Sequence, residues 1–458
     1  MVDFRVATYN VLSSHLAEPS RFPECDPKHL HAPTRLQRVK AKLQEEVDRG
    51  AVVCLQEVSI LWAGEFHVFF MARGYAFVTA NYGNPHNGYM GVALAWSLSK
   101  YEAVTVDITR VSDTRVWGRK STPLPSSCPS PGGPPTTPVR RAPAPPTTVP
   151  APASPNSVLT TIAAWTGTPS EGGTGGGEWG SPLKALMRLA GRGVKRPREE
   201  EEERGDSADR GGGGGGVSGR GREGEEPEDV WEMAKKRFNQ AIFVRLRPKI
   251  VAAPAATVAG GNGAPNGAGT LAPNGTPANG SSGIRGTLGG PPVFCVGTYH
   301  MPCLFNHRPV MVMHTSMVVK HLLDLACSNP LVIAGDFNFN PASECYKIVT
   351  QGDLSIDSPD FPDRPGWEKN WSPATGAKLM SAYREVEGKE PDFTNNAKVE
   401  QWPRFIDTLD YIFHTPGLIA TKVLPLKHRN EVKGPFPSET EPSDHVLLAA
   451  EYRVSCEL

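Results

Sequence analysis

The chain predicts an α/β fold, and two observations carry the prediction. Strand-like and helix-like stretches alternate from the amino terminus, strand, helix, strand, helix, and then give way to a strand-rich run. The 47 glycines and 44 prolines are concentrated in a few segments. Setting those segments aside leaves roughly 300 residues, enough for one large buried core. Residues 1–458 are therefore read as a single domain that carries long insertions.

Phe4 to Tyr9 alternates apolar and polar residues, as a strand does, and delivers Asn10 at its end. A helix is expected over Thr34 to Arg49. Thr34 and Gln37 have capping-box spacing, Leu36, Val39, Leu43 and Val47 make the buried stripe, and Gly50 ends it. Ala51 to Leu55 is a continuous apolar strand that delivers Gln56 and Glu57. A second helix, Glu65 to Ala72, packs through Trp62, Phe66, Phe69 and Phe70, and Tyr75 to Thr79, Gly91 to Trp96 and Tyr101 to Arg110 follow as strands. The NGYMG stretch at 87–91 reads as a loop, with Asn87, Tyr82 and Tyr89 lining a substrate cleft as the alternative.

After the first insertion come a short amphipathic helix, Trp231 to Phe238, and a strand, Ala241 to Leu246. After the second come a strand from Val293 to His300 and a helix from Val310 to Cys327. The next strand, from Leu331, reaches Gly335, where the chain can turn without a Cβ penalty. Alternation then puts Asp336 and Asn338 on one side and Phe337 into the core. A helix from Ser343 to Val349 and strands over Phe405 to Phe413 and Val446 to Tyr452 complete the pattern.

The insertions differ sharply in composition from these elements. Residues 119–228 are rich in Pro, Ser, Thr and Gly, with a six-glycine run from Gly211, and residues 248–290 are rich in Gly, Ala, Pro and Asn. Neither can bury enough apolar surface to offset its ordering entropy, so both are expected to be disordered and to lengthen surface connections. The basic cluster Lys195 to Arg198 reads as a solvated run against the glutamates from Glu199, with nuclear import as the alternative.

Lys plus Arg and Asp plus Glu each number 48, so an anionic partner would have to meet a local patch rather than a global basic field. Eight cysteines are scattered without a Cys-x-x-Cys pair, which reads as reduced thiols in an intracellular protein. The start, MVDFRVATYN, enters a strand directly, and no run of 18 apolar residues occurs. The expectation is a cytoplasmic or nuclear protein with no membrane span.

The predicted strands and the segments beside them end in polar residues: Asn10, Glu57, His300, Asp336 with Asn338, Asp410, and Asp444 with His445. Hydrolysis of a phosphodiester needs a hard divalent cation held by oxygens, an acceptor for the attacking water, and donors for charge on the phosphoryl oxygens. Asn, Glu and Asp serve the first two needs. His serves the third where a carboxylate fixes its tautomer. The sevenfold spacing of His300, His307, His314 and His321 invites a zinc reading, but two of them lie two turns apart on one helix and His300 ends a strand.

Six motifs, YN at 9–10, LQEV at 55–58, TYH at 298–300, GDFN at 335–338, LDYIF at 409–413 and SDH at 443–445, occur in one order. In that order they resemble the endonuclease/exonuclease/phosphatase superfamily. GDFNFNPASECYK with Pro341 and Tyr346, EPDFTN at 390–395, and EPSDHVLLAAEY at 441–452 are most similar to its messenger-RNA deadenylase branch, which includes nocturnin and the Angel proteins. The resemblance implies a four-layer α/β sandwich, two packed mixed sheets flanked by helices. It also implies a magnesium-dependent hydrolase, with manganese as the alternative ion, acting on an RNA or nucleotide phosphodiester as a 3′–5′ exoribonuclease of deadenylase type. A same-fold phosphatase or phospholipase, sphingomyelinase-like and acting on a non-RNA phosphoester, is the alternative.

By the same resemblance Glu57 is the main metal ligand, assisted by Asn10 and Asp444. Asp336 orients or deprotonates water, and Asn338 contacts metal or phosphate. His445, positioned by Asp410, stabilises the transition state, and His300 binds the phosphate. One departure concerns the substrate base: HMPCLFNHRP from His300 replaces the Trp-Asp-Pro-like segment usual in deadenylases. Pro302 or Phe305 is expected in that place, with Phe405 stacking opposite and Asn395 as a further substrate contact.

Overall fold

In the first strand, β1 (Asp3–Asn10), every residue after Asp3 is buried, because the strand lies inside the molecule rather than at a half-wet surface. Phe4 and Val6 face a second sheet, while Ala7 and Tyr9 face helices. The computed structural model describes residues 3–118, 229–249 and 293–454, which belong to one compact unit. The predicted disordered insertions, 119–228 and 248–290, lie outside the described residues except for Pro248 and Lys249.

After β1 come α1 (Pro27–Leu30), α2 (Ala32–Asp48), β2 (Val52–Val58), α3 (Ile60–Met71), β3 (Tyr75–Asn81), β4 (Gly91–Ser97) and β5 (Tyr101–Arg110). Then follow α4 (Val230–Lys236), β6 (Gln240–Pro248), β7 (Phe294–His300), α5 (Arg308–Ala326), β8 (Leu331–Asp336) and α6 (Glu344–Gln351). The chain ends through β9 (Met380–Ser381), α7 (Ala382–Glu387), β10 (Asn395–Ala397), β11 (Phe405–Asp407), β12 (Asp410–His414), β13 (Leu418–Val423) and β14 (Leu448–Val454).

Several boundaries move for local reasons. α2 starts at Ala32 because Pro33 suits a first helical turn, and Thr34 is engaged by the His31 ring rather than acting as cap. α3 starts at Ile60, where the Ser59 hydroxyl accepts from Trp62 N–H. The stretch expected as one strand over Phe405 to Phe413 divides: β11 pairs with β10 in a small ribbon, and β12 joins a main sheet. β6 runs on to Pro248, two residues beyond the predicted end of the strand.

Two six-stranded mixed sheets result, in the orders β13-β14-β1-β2-β4-β3 and β5-β6-β7-β8-β12-β9. β5 pairs with β6, and β6 with β7, although long stretches of chain separate the partners. Val6, Val52, Cys54 and Leu94 of the first sheet share a core with Val244, Val296, Ala334 and Ile412 of the second. On its outer face the first sheet is covered by α2 and α3 through Leu36, Val39, Leu43, Phe66 and Phe70. The second is covered by α5 and α6 through Met311, Val318, Leu322 and Ile348. The architecture is thus helix, sheet, sheet, helix, and each large apolar side chain buried between layers contributes about 1.5–3 kcal/mol.

Gly335 does not turn the chain. It lies within β8, and a Cβ there would come 2.0 Å from the Tyr299 carbonyl oxygen, so glycine permits β7 and β8 to approach. Among the described residues no helix is long and apolar enough to cross a membrane.

Candidate active site

Strand register alone places three of the expected site residues in a row. β7 and β8 run parallel with His300 beside Asp336, and β8 and β12 run antiparallel with Asp336 beside Asp410. In the facing sheet β1 and β2 run parallel with Asn10 beside Gln56. The next residue, Glu57, lies where the β2–β4 register shifts, and its φ of 58° is in the left-handed region. A bulge that forces a non-glycine residue into this conformation re-aims its side chain at the cost of local strain.

The two rows meet through Asn10. Its Nδ2 donates to Asp336 Oδ2 at 2.9 Å and to Glu57 Oε1 at 3.2 Å, and lies 3.5 Å from His445 Nε2. Its Oδ1 accepts from Leu12 N–H, which fixes the amide. Asn10, expected as a metal ligand, therefore turns its N–H groups rather than its oxygen toward the carboxylates. Glu57 Oε2 accepts from Ser13 N–H at 3.1 Å. Burial would raise the Glu57 pKa, but His300 foremost, then the Ser13 N–H and His445, hold it below the ordinary value.

His445 sits in the segment before β14, with Nδ1 2.7 Å from Asp410 Oδ2 and Nε2 3.7 Å from Asp336 Oδ2. Burial alone would favour its neutral form, yet Asp410 and then Asp336 hold its pKa well above the ordinary value. Asp410 itself is pushed up to about 6 by burial, with Asp336 adding to that push and His445 opposing it. Asp336 as well as Asp410 faces the imidazole, so the pair's proton belongs on His445. Asp410 is held in turn by Thr394, whose Oγ1 accepts from the N–H groups of Leu409 and Asp410. His300 places Nε2 3.5 Å from Asp336 Oδ2 and Nδ1 2.8 Å from the Tyr82 hydroxyl.

The remaining expected residues lie around this network. Asp444 is half-buried, and burial, reinforced by the like charge of Glu57, raises its pKa. Asn338 has a φ of 50°, accepts nothing from Asp336 but donates its N–H to Asp336 Oδ1, and gives its Nδ2 to the Met301 carbonyl. Its amide nitrogen thus anchors the segment after β7. Asn395 is buried and bridges His445 through the backbone. Phe405, opposite Ala397 on the small ribbon, is 41% exposed, whereas Pro302 is buried two residues after His300.

Several contributors carry little sequence signal. Gln56 is buried between the sheets, taking a bond from Thr8 and giving one to Thr298. Ser443 Oγ donates to the Asn10 carbonyl and accepts from His445 N–H. Arg35 of α2 is fully buried; its Nε donates to the Pro442 carbonyl, and its Nη2 to the carbonyls of Val11 and Leu12. It ties the end of β1 to the segment bearing His445. The Arg35–Gln37 neighbourhood looked like an ordinary amphipathic helix, and only the absence of exposure marks this arginine.

Four carboxylates, Glu57, Asp336, Asp410 and Asp444, thus gather around two imidazoles, an excess of negative charge in a low-dielectric site. Among the described residues Asp336, Asp410 and His445 each offer an atom within 4.8 Å of the others and Asp410 Oδ1 is buried without a hydrogen-bond partner, but the protonated His445 has no lone pair to give an ion, which leaves the carboxylate oxygens to hold one. Clustered oxygen donors with surplus negative charge fit a hard divalent cation better than a thiolate-seeking one.

Comparison with known proteins bears on the same residues. The model of the Endonuclease/Exonuclease/phosphatase family matches residues 205–445. Asn10 and Glu57 precede that stretch, and the sheet packing carries them to it. The CCR4-Not complex 3′-5′-exoribonuclease subunit Ccr4 of Aspergillus niger is 36% identical over 130 residues, 27% of this chain and 19% of that protein. Carbon catabolite repressor protein 4 homolog 4 of Arabidopsis thaliana is 30% identical over 139 residues, 29% of this chain and 28% of its own length. The matched stretch therefore spans less than a third of either relative. The crystal structure of ANGEL2, a 2′,3′-cyclic phosphatase, with adenosine-2′,3′-vanadate superimposes with a TM-score of 0.55 at 16% identity. It covers 99% of this chain and 96% of that one, a likeness of fold. With the family model matching more than half its length, the chain belongs to the endonuclease/exonuclease/phosphatase family.

Proposed function

We propose that this chain is a divalent-metal-dependent phosphodiesterase of the deadenylase branch that shortens RNA from its 3′ end. The observation that carries the reading is the His445–Asp410 pair at 2.7 Å, facing Asp336 across the site to which Asn10 brings Glu57. The Ccr4 relatives, named as 3′-5′-exoribonucleases, support the choice of RNA over other phosphoesters.

Asp336, held by Asn10 Nδ2 and by the N–H of Asn338, orients the attacking water and takes its proton. His445, charged and fixed by Asp410, stabilises the negative charge that grows on the phosphorus oxygens, and His300 binds the phosphate beside it. Glu57 and Asp444 would hold magnesium, or manganese, which supplies Lewis-acid polarisation of the phosphoryl oxygen; Asn10 orients the Glu57 carboxylate. Asn395, buried against His445, and Phe405, exposed on its ribbon, flank the place of the terminal base, with Pro302 on the His300 side.

The test is an assay on 5′-labelled RNA with and without an A-tail, beside RNA ending in a 2′,3′-cyclic phosphate and beside a phospholipid. The cyclic end is included because ANGEL2, a 2′,3′-cyclic phosphatase, shares the fold. A magnesium-dependent ladder shortening from the 3′ end, lost in Glu57→Ala, is expected. Turnover of the cyclic phosphate or of phospholipid with no shortening of RNA would overturn the exonuclease reading.

A further inference from the structure

His300 approaches Asp336 through Nε2, at 3.5 Å, and meets the Tyr82 hydroxyl through Nδ1, at 2.8 Å. What this imidazole can do for a phosphate depends on which nitrogen carries its proton. An Nε2–H donates to an anionic oxygen, whereas a bare Nε2 would turn its lone pair toward both Asp336 and the substrate. The Tyr82 hydroxyl, being able to donate or accept, decides between these only if something else fixes its own direction.

Asp336 supplies that constraint from the other side of the ring: its carboxylate, 3.5 Å from Nε2, can only accept, so the ring proton belongs on Nε2 and the Tyr82 hydroxyl donates to Nδ1. Asn239 holds the backbone at the same residue, its Nδ2 donating to the His300 carbonyl at 2.9 Å. Burial, and then the Glu57 charge, lift the Tyr82 pKa well above its ordinary value, so the phenol keeps that proton. The surrounding backbone is fixed as well. Tyr82 N–H donates to the Met90 carbonyl, and Gln240 Nε2 donates to the carbonyl of Asn81.

We propose that Tyr82 is a positioning residue for the reaction: its hydroxyl, donating to Nδ1, holds His300 in the tautomer that presents Nε2–H to the scissile phosphate. The inference rests on the phosphodiesterase reading for its consequence, but the tautomer can be read without any substrate.

The experiment labels the full chain with 15N-histidine and uses two-bond proton–nitrogen correlations to identify the protonated ring nitrogen. His300 is assigned by the signal missing from His300→Gln. In the native protein the proton is expected on Nε2. In Tyr82→Phe, which keeps the ring and removes only the hydroxyl, His300 is expected to populate the Nδ1-protonated form, and kcat on RNA to fall about tenfold to a hundredfold.

Native protein with the His300 proton on Nδ1 overturns the proposal without recourse to any variant. So does a Tyr82→Phe protein that retains Nε2–H alone, even if its turnover falls, because that loss would then be structural. Should the native protein fail to shorten RNA, the proposed function fails, while the tautomer measurements still decide the role of Tyr82.

Discussion

His445 and His314 are both buried, and their surroundings drive them to opposite charge states. His445 lies where the strand ends of two sheets converge, with Asp410 at 2.7 Å and Asp336 at 3.7 Å. His314 lies on the outer side of the second sheet, on α5, with Nδ1 3.0 Å from the Tyr299 hydroxyl and Nε2 3.0 Å from the Ala234 carbonyl. The carbonyl must accept, so Nε2 is protonated and Nδ1 accepts from the phenol. Both nitrogens of His314 are satisfied by neutral groups. Burial, with Arg237 and Arg110 adding a little, takes its pKa down to about 4. The difference teaches that burial alone does not set a histidine's charge. Facing carboxylates do, and they come from the strand register that sets Asp336 beside Asp410.

The comparison breaks first if the carboxylates are removed. Asp336→Asn preserves shape but removes both the proposed proton acceptor and one of the charges that hold His445 protonated. Turnover on RNA should fall by about three to four orders of magnitude, with the thermal midpoint near that of the native protein. Measured kcat within tenfold of native would remove Asp336 from the mechanism. Asp410→Asn tests the other partner. The amide still hydrogen-bonds to Nδ1 but no longer stabilises the imidazolium, so kcat should fall about a hundredfold to a thousandfold. The His445 titration, followed by NMR, should move toward the ordinary imidazole range. A titration left where it was would mean that Asp336 alone sets the charge.

Much of this was legible in the sequence, because local signals and register carry it. The alternating run ending in Asn10 and the apolar runs leading to Glu57, His300 and Asp336 are strand signals, and they appear as β1, β2, β7 and β8. The helix, sheet, sheet, helix layering also follows from alternating elements. The stretch from Phe405 was misread because Thr408 and Leu409, between two strands of different sheets, have the composition of a strand interior. Gly335 looked like a turn, since nothing local reveals that the Tyr299 carbonyl lies against it. Asn10 is expected as an oxygen ligand, and the bond its Oδ1 accepts from Leu12 N–H, two residues away, is set by the turn after β1 and leaves no signature in the sequence. Tyr82, Arg35 and Thr394 act over long sequence separations, and no spacing rule reports such contacts.

Arg35 extends the contrast from charge to scaffold. Its guanidinium is buried like His314, yet it satisfies backbone carbonyls on both segments that frame His445. Burial takes its pKa down to about 10, with Asp444 the foremost group opposing that shift, so it remains a cation at neutral pH. Arg35→Met keeps an apolar stem but leaves the carbonyls of Val11, Leu12 and Pro442 without their donor. Urea unfolding should show a loss of about 3 kcal/mol. A loss below about 1 kcal/mol would show that water replaces the guanidinium at little cost.

The smallest effect separates the two histidines by the sign of their pH dependence. For His314 the folded pKa of about 4 lies below the ordinary 6.5, so the unfolded chain takes up a proton first as the pH falls. Its contribution to stability is therefore intact above about 6.5 and is lost progressively toward 4. At pH 5 the loss from this one group is about 2 kcal/mol. His445 tilts the other way. Its folded pKa is raised, so its contribution is fully present below the ordinary imidazole value and declines as the pH rises through the folded one. A single curve of native stability mixes the two, and a variant isolates one. His314→Gln retains an amide donor for the Ala234 carbonyl but cannot titrate. Unfolding free energies at pH 7.5 and pH 5 should therefore converge in this variant by about 2 kcal/mol relative to the native protein. Equal pH slopes in the two proteins would mean that His314 takes up its proton in the folded state, with the Tyr299 hydroxyl turning to accept it.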